Sequence, residues 1–221
     1  MNSGNASMRS VAIPIPHAGV TLPGDLVLPE PCRGLILFAH GSGSSRLSPR
    51  NQMVAERLQE AGLGTLLFDL LTPDETRDRD NVFNIPLLAE RLGAAAKWVE
   101  AEPRLAALPM GYFGASTGAA AALVAASMGG KRVAAVVSRG GRPDLAGEAL
   151  SKVTAPTLLI VGGHDELVLS LTRLALDRLA GPKRLVIVPG ATHLFEEPGT
   201  LESVARLATE WFVEHLGGAK G

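Results

Sequence analysis

The stretch MGYFGASTG, residues Met110–Gly118, decides the expected fold of this chain. It begins as an apolar strand, turns at Ser116 and continues from Thr117 into an alanine-rich helix. Gly114 and Gly118 stand two residues before and two residues after the serine, where a strained turn between strand and helix leaves no room for side chains. Because the helix begins directly after the serine, its positive end points at any negative charge that develops there. The stretch therefore predicts an exposed serine at one edge of a sheet.

Short apolar runs alternate with helical patterns on both sides of this stretch. The first two runs flank a turn and predict a hairpin, and the later runs each precede a helical pattern. This alternation favours an α/β fold, a three-layer α/β/α sandwich with a mainly parallel sheet and helices on both faces. The predicted strands are 11–16, 21–28, 34–39, 64–71, 110–114, 133–138, 157–161 and 184–188, and the predicted helices are 48–61, 85–101, 117–128, 144–150, 167–179 and 201–216.

The composition narrows the class of protein. A length of 221 residues is typical of one domain, and 46% apolar residues are enough for a sizeable core. We expect 9–221 to form a single domain and 1–8 to be a flexible tail. The net charge of −1 offers no global field for nucleic acid or an anionic membrane. A single cysteine, Cys32, excludes an internal disulfide and cysteine-rich zinc sites.

Several functional classes are therefore disfavoured. The chain shows neither the apolar stretch of a signal peptide nor an apolar run long enough to span a membrane. The His, Asp and Glu residues do not follow a recognisable metal-ligand spacing. We expect a cytoplasmic protein that acts on a small molecule without a metal or cofactor. We expect no nucleic-acid or membrane partner, and the sequence leaves a homodimer open.

Ser116 needs a base, because a serine hydroxyl is a weak nucleophile until its proton is removed. In a strand–serine–helix turn of this kind, the acid and then the histidine follow the serine along the chain. Three histidines follow it. His193 lies in the loop after the last strand and is the predicted base, whereas His164 is more simply a loop residue and His215 a residue of the last helix.

Asp165 is the predicted acid. It follows the penultimate strand, where it can orient the imidazole of His193 and stabilise its charged form. Asp144 is the main alternative, although its position suggests the N-cap of a short helix. Glu166 and Glu196 are weaker alternatives.

The loop after the third predicted strand reads HGSGSSR, residues His40–Arg46. An oxyanion is expected to receive one N–H from this loop and one from the residue after the nucleophile. We predict that the backbone N–H groups of Ser42 and Thr117 form this site, with Gly43 as an alternative donor. We interpret His40 as a structural residue of the loop rather than as a second base.

Substrate-binding residues are expected at the same edge. Arginines there could clamp a carboxylate or phosphate, or they could pair with neighbouring aspartates, which is the simpler interpretation. Only the loops 72–84 and 139–156 could cover the site, so we expect an open, shallow pocket suited to small or exposed acyl groups. The candidates for substrate binding are His40, Gly43, Arg46, Arg50, Arg139 and Arg142.

Two other classes of function remain as alternatives. The segment GSGSSR after a predicted strand, with Asp69 ending the next strand, is similar to a dinucleotide-binding fingerprint. Arg46 stands where that fingerprint has its third glycine, and Pro49 disfavours a helix that starts directly after the turn. The second alternative is a non-catalytic binding module with the same fold.

Together these motifs resemble the α/β-hydrolase superfamily, and the compact form of the chain resembles the dienelactone hydrolase family. The resemblance starts at about Val11 and covers nearly the whole chain. It implies an eight-stranded core without a large cap domain and a Ser/Cys–His–Asp triad.

Dienelactone hydrolases carry cysteine at the nucleophile position, where this chain has Ser116. Cys32 precedes a strand, at the opposite edge of the sheet. The sequence therefore favours a carboxylesterase with an acyl-enzyme intermediate, with dienelactone, lactone or thioester hydrolysis as alternatives. The residues that carry the resemblance are His40, Gly41, Ser42, Gly43, Gly114, Ala115, Ser116, Thr117, Gly118, Gly163, His164, Asp165 and His193.

Overall fold

An eight-stranded sheet forms the middle layer of the molecule, with strand order β1-β2-β4-β3-β5-β6-β7-β8. The structure is a computed structural model that describes residues 10–129 and 133–217, so the predicted tail 1–8 lies outside the described residues. β1 and β2 form an antiparallel hairpin, β2 runs antiparallel to β4, and all other neighbouring strands are parallel. The strands are β1 (Val11–His17), β2 (Val20–Val27), β3 (Leu35–Ala39), β4 (Gly64–Phe68), β5 (Met110–Ala115), β6 (Val133–Arg139), β7 (Thr157–Gly162) and β8 (Lys183–Val188).

Helices cover both faces of this sheet. α1 and α6 pack on one face, while α3, α4 and α5 contribute to the apolar core on the other. The helices are α1 (Pro49–Glu60), α2 (Arg79–Val82), α3 (Ile85–Ala101), α4 (Thr117–Gly129), α5 (Glu166–Arg178) and α6 (Thr200–Leu216), with 3-10 segments at Glu75–Arg77 and Pro143–Lys152. The predicted three-layer α/β/α fold with a mainly parallel sheet is confirmed, and residues 10–129 and 133–217 form no large cap domain.

The central strands are apolar along their whole length because both of their faces are buried. In β3, Ile36 and Phe38 belong to the core under α1 and α6, whereas Leu35 and Leu37 belong to the core under α3 and α4. Alternate residues of a strand point to opposite faces, so a strand covered on both sides needs apolar residues at every position. Because β3 to β8 run parallel, their carboxyl ends lie at the same edge of the sheet.

The segment between β4 and α3 is more structured than its charged sequence predicts. β4 ends at Phe68, and the predicted loop 72–84 contains a 3-10 turn and the short helix α2. Thr72 N–H donates to Glu75 Oε2 (2.8 Å), and Glu75 N–H donates to Thr72 Oγ1 (3.3 Å), which is a reciprocal capping arrangement. The other carboxylate oxygen of Glu75 accepts a 2.7 Å hydrogen bond from Arg91 Nη2. These contacts fix the segment against α3.

The predicted helix 144–150 is also corrected by the structure. It is a 3-10 segment, Pro143–Lys152, interrupted at Gly147, where φ is +55° and ψ is −127°. These angles are incompatible with a continuous helix and are best tolerated by glycine. Within the two described ranges, no helix combines the length and apolar character that a membrane span requires.

A buried hydroxyl in α5 generates a stability prediction. Thr172 is 1% exposed, and its Oγ1 has no hydrogen-bond partner among the described residues. Thr172→Val keeps the shape of the side chain and removes an unsatisfied polar atom, so it should raise the free energy of unfolding by about 1 kcal/mol. Urea denaturation of the two proteins measures this difference.

Thr157 provides the matched control. It is also 1% exposed, but its hydroxyl donates to the carbonyl oxygen of Ala155 (2.9 Å). Thr157→Val should therefore lower the free energy of unfolding by about 1 kcal/mol. Equal losses of stability in both variants would contradict the prediction.

Candidate active site

The turn between β5 and α4 holds Ser116 in a strained backbone conformation. Its φ of +51° lies in the left-handed region, which residues with a side chain rarely adopt. Ser116 N–H donates to the carbonyl oxygen of Arg139 (3.4 Å). The carbonyl oxygen of Ser116 accepts hydrogen bonds from the N–H groups of Ala119 and Arg142, both at 3.1 Å. Backbone hydrogen bonds from two sides therefore stabilise the strained turn.

The two glycines of the motif are required by close packing. A Cβ atom on Gly114 would lie 2.5 Å from the Cα atom of Ala119. A Cβ atom on Gly118 would collide with the carbonyl oxygen of Ala39, at the end of the neighbouring strand β3. Any larger residue would push β5, α4 and β3 apart, so both positions fit only glycine.

His193 and Asp165 form a direct hydrogen bond. His193 Nδ1 lies 2.7 Å from Asp165 Oδ2. Because a carboxylate only accepts hydrogen bonds, Nδ1 carries the proton and Nε2 is left as a proton acceptor. Asp165 occupies the N-cap position of α5, yet its side chain makes no capping hydrogen bond. The carboxylate of Asp165 therefore accepts a hydrogen bond from the imidazole of His193 and not from the first turn of α5.

Contacts between the β7 and β8 ends bring these two residues together. The N–H of His164 donates to the carbonyl oxygen of Ala191 (2.9 Å). A Cβ atom on Gly162 would lie 2.6 Å from the carbonyl oxygen of Thr192, so only glycine allows the His193 loop to pack this closely. The sequence predicts this pairing from the chain order of acid and histidine, and Gly162 allows the close approach of the two loops.

The structure places the imidazole of His193 at the turn that contains Ser116. Gly140, with a φ of +50°, follows Arg139, whose carbonyl oxygen accepts the Ser116 N–H. A Cβ atom on Gly140 would lie 3.8 Å from His193 Cε1. No hydrogen bond joins Ser116 Oγ to His193 within 10–129 and 133–217. In sites without substrate this contact is often long and shortens when substrate binds.

The alternative acids and bases have other roles or positions. Asp144 accepts two hydrogen bonds from Arg142, at 2.9 and 2.7 Å. His215 Nδ1 is hydrogen-bonded to the carbonyl oxygen of Trp211 in α6 (2.8 Å), and Glu196 is paired with Arg50 (3.3 Å). The geometry favours Asp165 and His193. The remaining alternatives, His164 and Glu166, are both exposed.

His40 connects the ends of β3 and β4. Its Nδ1 is hydrogen-bonded to the carbonyl oxygen of Gly41 (3.0 Å), and its Nε2 accepts the N–H of Leu70 (3.0 Å). The side chain is buried, and this burial lowers the pKa of His40, although Gly41 and the charge of Asp69 act in the opposite direction. Both ring nitrogens are committed to the backbone, so His40 is a structural residue of this loop rather than a base.

The loop after β3 packs directly on the serine. A Cβ atom on Gly41 would lie 2.9 Å from the Cβ atom of Ser116. The N–H of Ser42 donates to Thr117 Oγ1 at 2.9 Å. The structure therefore brings both residues of the predicted oxyanion site together, but one of the two N–H groups already contacts a side chain. Direct contact of the Ser42 N–H with an oxyanion stays a prediction.

Two of the candidate arginines are bound to aspartates. Arg46 Nη1 and N–H contact the two carboxylate oxygens of Asp69, at 2.6 and 2.7 Å, and its Nε contacts Asp25 at 3.1 Å. Arg142 makes the two contacts to Asp144 given above. These pairs favour the simpler interpretation, in which both arginines fix loops. They also disfavour dinucleotide binding, because Asp69 is not free to contact a ribose.

Arg139 is a buried cation. It is 6% exposed, its Nη2 donates to Asn51 Oδ1 in the first turn of α1 (3.3 Å), and its Nε has no partner in the described parts of the chain. Burial, together with the charge of Arg50, lowers the pKa of Arg139 to about 10. The side chain of Arg139 therefore links the end of β6 to the first turn of α1.

A cavity of about 750 Å³ opens beside the loop after β3. This volume is in the range of small-molecule sites, although the cavity adjoins Ser116 without including it. The segment between β4 and α3 forms the far wall, as expected for a cover. Residues from both walls include Ser42, Gly43, Arg50, Thr76 and Val82. The part of the chain that the structure describes contains no group of three or more His, Cys, Asp or Glu residues placed to bind a metal.

The chain has relatives among known proteins, although no protein-family model matches it. The chain is similar to the crystal structure of a dienelactone hydrolase from Anabaena variabilis, with 55% identity, a TM-score of 0.92, and coverage of 94% of this chain and 98% of that chain. Est1E from Butyrivibrio proteoclasticus has a TM-score of 0.79 at 19% identity, covering 93% of this chain and 98% of that chain, which supports the fold alone.

A protein of Mycobacterium tuberculosis (strain H37Rv) with the provisional name phosphoribosyl transferase is 61% identical over 211 residues. The match covers 96% of this chain and 46% of that protein. The chain therefore spans about half the length of this curated relative.

The lowered pKa of His40 should make the free energy of unfolding depend on pH. The unfolded state takes up a proton near the ordinary pKa of 6.5, whereas the folded state resists it. His40 therefore contributes stability above this value that is lost as the pH falls. Lowering the pH from about 7.5 to about 5.5 should reduce the free energy of unfolding more in the wild type than in His40→Gln. Urea titrations across this range measure it, and identical pH dependence in the two proteins would contradict it.

Proposed function

Because this chain belongs to the dienelactone hydrolase family of α/β-hydrolases, we propose that it is a serine hydrolase that cleaves carboxylic esters of small or exposed acyl groups. The observation that carries this proposal is the hydrogen bond between His193 Nδ1 and Asp165 Oδ2 at the turn that holds Ser116. This bond leaves the other ring nitrogen of the base free to accept a proton, as acyl transfer to serine requires.

The proposed reaction has two steps. In the first, His193 Nε2 takes the proton of Ser116 Oγ while this oxygen attacks the ester carbonyl. The tetrahedral intermediate collapses, the C–O bond to the alcohol breaks, and the alcohol leaves with the proton from His193. In the second, His193 takes a proton from water, the hydroxide attacks the acyl-enzyme, and the acid leaves as Ser116 regains its proton. Asp165 stabilises the imidazolium that forms in each step.

The N-terminus of α4 supports the negative charge of the intermediate. The helix begins at Thr117, so its first N–H groups and its dipole lie beside Ser116. The cavity beside the loop after β3 is the proposed space for the substrate, since it adjoins this site and has the volume of a small-molecule pocket.

Lactone and thioester hydrolysis are alternatives within the same chemistry, because both pass through an acyl-enzyme. The transferase name of the mycobacterial relative applies to a protein of which the matched region is 46%. The site of this chain favours acyl transfer instead. A non-catalytic binding module is the alternative of a different class, and the first experiment below distinguishes it.

Ser116→Ala should lower the rate of hydrolysis of p-nitrophenyl acetate and p-nitrophenyl butyrate by more than about 10³-fold, because the nucleophile is removed. An active-serine phosphonate should label the wild type and not this variant. Ser127→Ala is the control, since Ser127 Oγ donates within α4 to the carbonyl oxygen of Val124 (2.7 Å), outside the site.

Ester hydrolysis that survives in Ser116→Ala would refute the assignment of the nucleophile. A wild type that neither cleaves any ester of a broad panel nor reacts with the phosphonate would favour the binding module.

The assignment of the acid gives a second prediction. Asp165→Asn should reduce kcat by as much as about 10⁴-fold, because the amide favours the wrong tautomer of His193. Asp144→Asn should leave kcat within a few-fold of the wild type, since Asp144 contacts Arg142 rather than the imidazole. Steady-state kinetics with the same esters compare the two variants, and the reverse order of effects would make Asp144 the acid.

A further inference from the structure

The side-chain hydroxyl of Thr117 lies between the two segments that form the oxyanion site. Thr117 is the residue after Ser116 and is 4% exposed. Its Oγ1 accepts a hydrogen bond from the N–H of Ser42 at 2.9 Å. The strand–serine–helix motif requires only the backbone N–H of the residue after the serine, so the buried hydroxyl of Thr117 is an additional polar group without an assigned role.

The proton of this hydroxyl is unused. A threonine hydroxyl has one O–H donor and two acceptor positions. The Ser42 N–H occupies one acceptor position, and the Thr117 O–H donates to no residue within 10–129 and 133–217. Helical threonines commonly donate to a carbonyl one turn earlier, as Thr209 does to the carbonyl oxygen of Ala205 (2.8 Å). Thr117 is the first residue of its helix and is preceded by a strand, so it lacks such an acceptor.

The position of this proton restricts what can accept it. The loop after β3 packs on Ser116 so closely that a Cβ atom on Gly41 would lie 2.9 Å from the serine Cβ. The hydroxyl therefore lies in the narrow space where this loop meets the start of α4. The oxygen that develops negative charge in the tetrahedral intermediate on Ser116 is expected to lie beside this hydroxyl, because the first N–H groups of the helix point there.

We propose that the Thr117 hydroxyl donates a hydrogen bond to the oxyanion, together with the backbone N–H of the same residue. This inference rests on the proposed function and names a further catalytic residue for it. The Ser42 N–H then acts as a positioning group: it holds Oγ1 in place, and by donating to it makes the O–H a stronger donor. The hydroxyl keeps its proton throughout, so the step changes no covalent bond.

Thr117→Val tests the proposal, because valine keeps the shape of threonine and lacks the hydroxyl. We expect kcat for p-nitrophenyl butyrate to fall on the order of 10²-fold with little change in KM, since the lost bond forms only in the transition state. Thr117→Ser restores a hydroxyl and should retain kcat within a few-fold of the wild type. The rate of phosphonate labelling should fall in Thr117→Val and recover in Thr117→Ser.

Thr172→Val is the matched control for replacing a buried helical threonine by valine. Thr172 lies in α5, away from the site, so this variant should keep the wild-type kcat. Thermal unfolding identifies a loss of fold in Thr117→Val, in which case Thr117→Ala replaces it in the comparison with Thr117→Ser.

The outcomes separate this inference from the proposed function. A wild type that cleaves esters through Ser116, with Thr117→Val or Thr117→Ala as active as wild type or more so, would overturn the inference alone. The hydroxyl would then only occupy the Ser42 N–H in the absence of substrate. A wild type without Ser116-dependent esterase activity would overturn both.

Discussion

The left-handed backbone of Ser116, with a φ of +51°, is the constraint on which the rest of the site depends. A conformation of this kind costs free energy and persists only where its surroundings determine it fully. Here the surroundings are Gly114 and Gly118, which allow β5, α4 and β3 to approach, and the backbone bonds to Arg139 and Arg142. The same bonds attach the end of β6 to the turn and so place Gly140 beside His193.

Charge pairing at this edge of the sheet is nearly complete and serves mainly to fix loops. Arg46 is bound to Asp69, and Arg142 is bound to Asp144. Asp165 is bound to His193, whose imidazole is a cation only when it is protonated. The buried guanidinium of Arg139 donates to the amide oxygen of Asn51, and among the described residues it has no carboxylate partner.

The parts of the site that depend on local pattern were predictable from the sequence. The glycine spacing around Ser116 indicated the turn, and the chain order of acid and histidine favoured Asp165 and His193, which the structure pairs. The capping arrangement of Thr72 and Glu75 was not predictable, because a charged segment resembles a loop until the partner of its carboxylate is known. The contact of the Thr117 hydroxyl was not predictable either, since the motif describes only backbone N–H groups and the contact joins residues far apart in the chain.

The sequence by itself determined the order of strands and helices, the position of the strained serine and the identity of the groups at the strand ends. These features follow from hydrophobic period, glycine spacing and turn chemistry, which act over a few residues. The tertiary structure alone decided the polar contacts that the sequence left open: Asp144 with Arg142, the Ser42 N–H with the Thr117 hydroxyl, and His40 with the backbone of the next strand. Such contacts depend on the register of neighbouring strands and on close approach of loops, which no local pattern in the chain encodes.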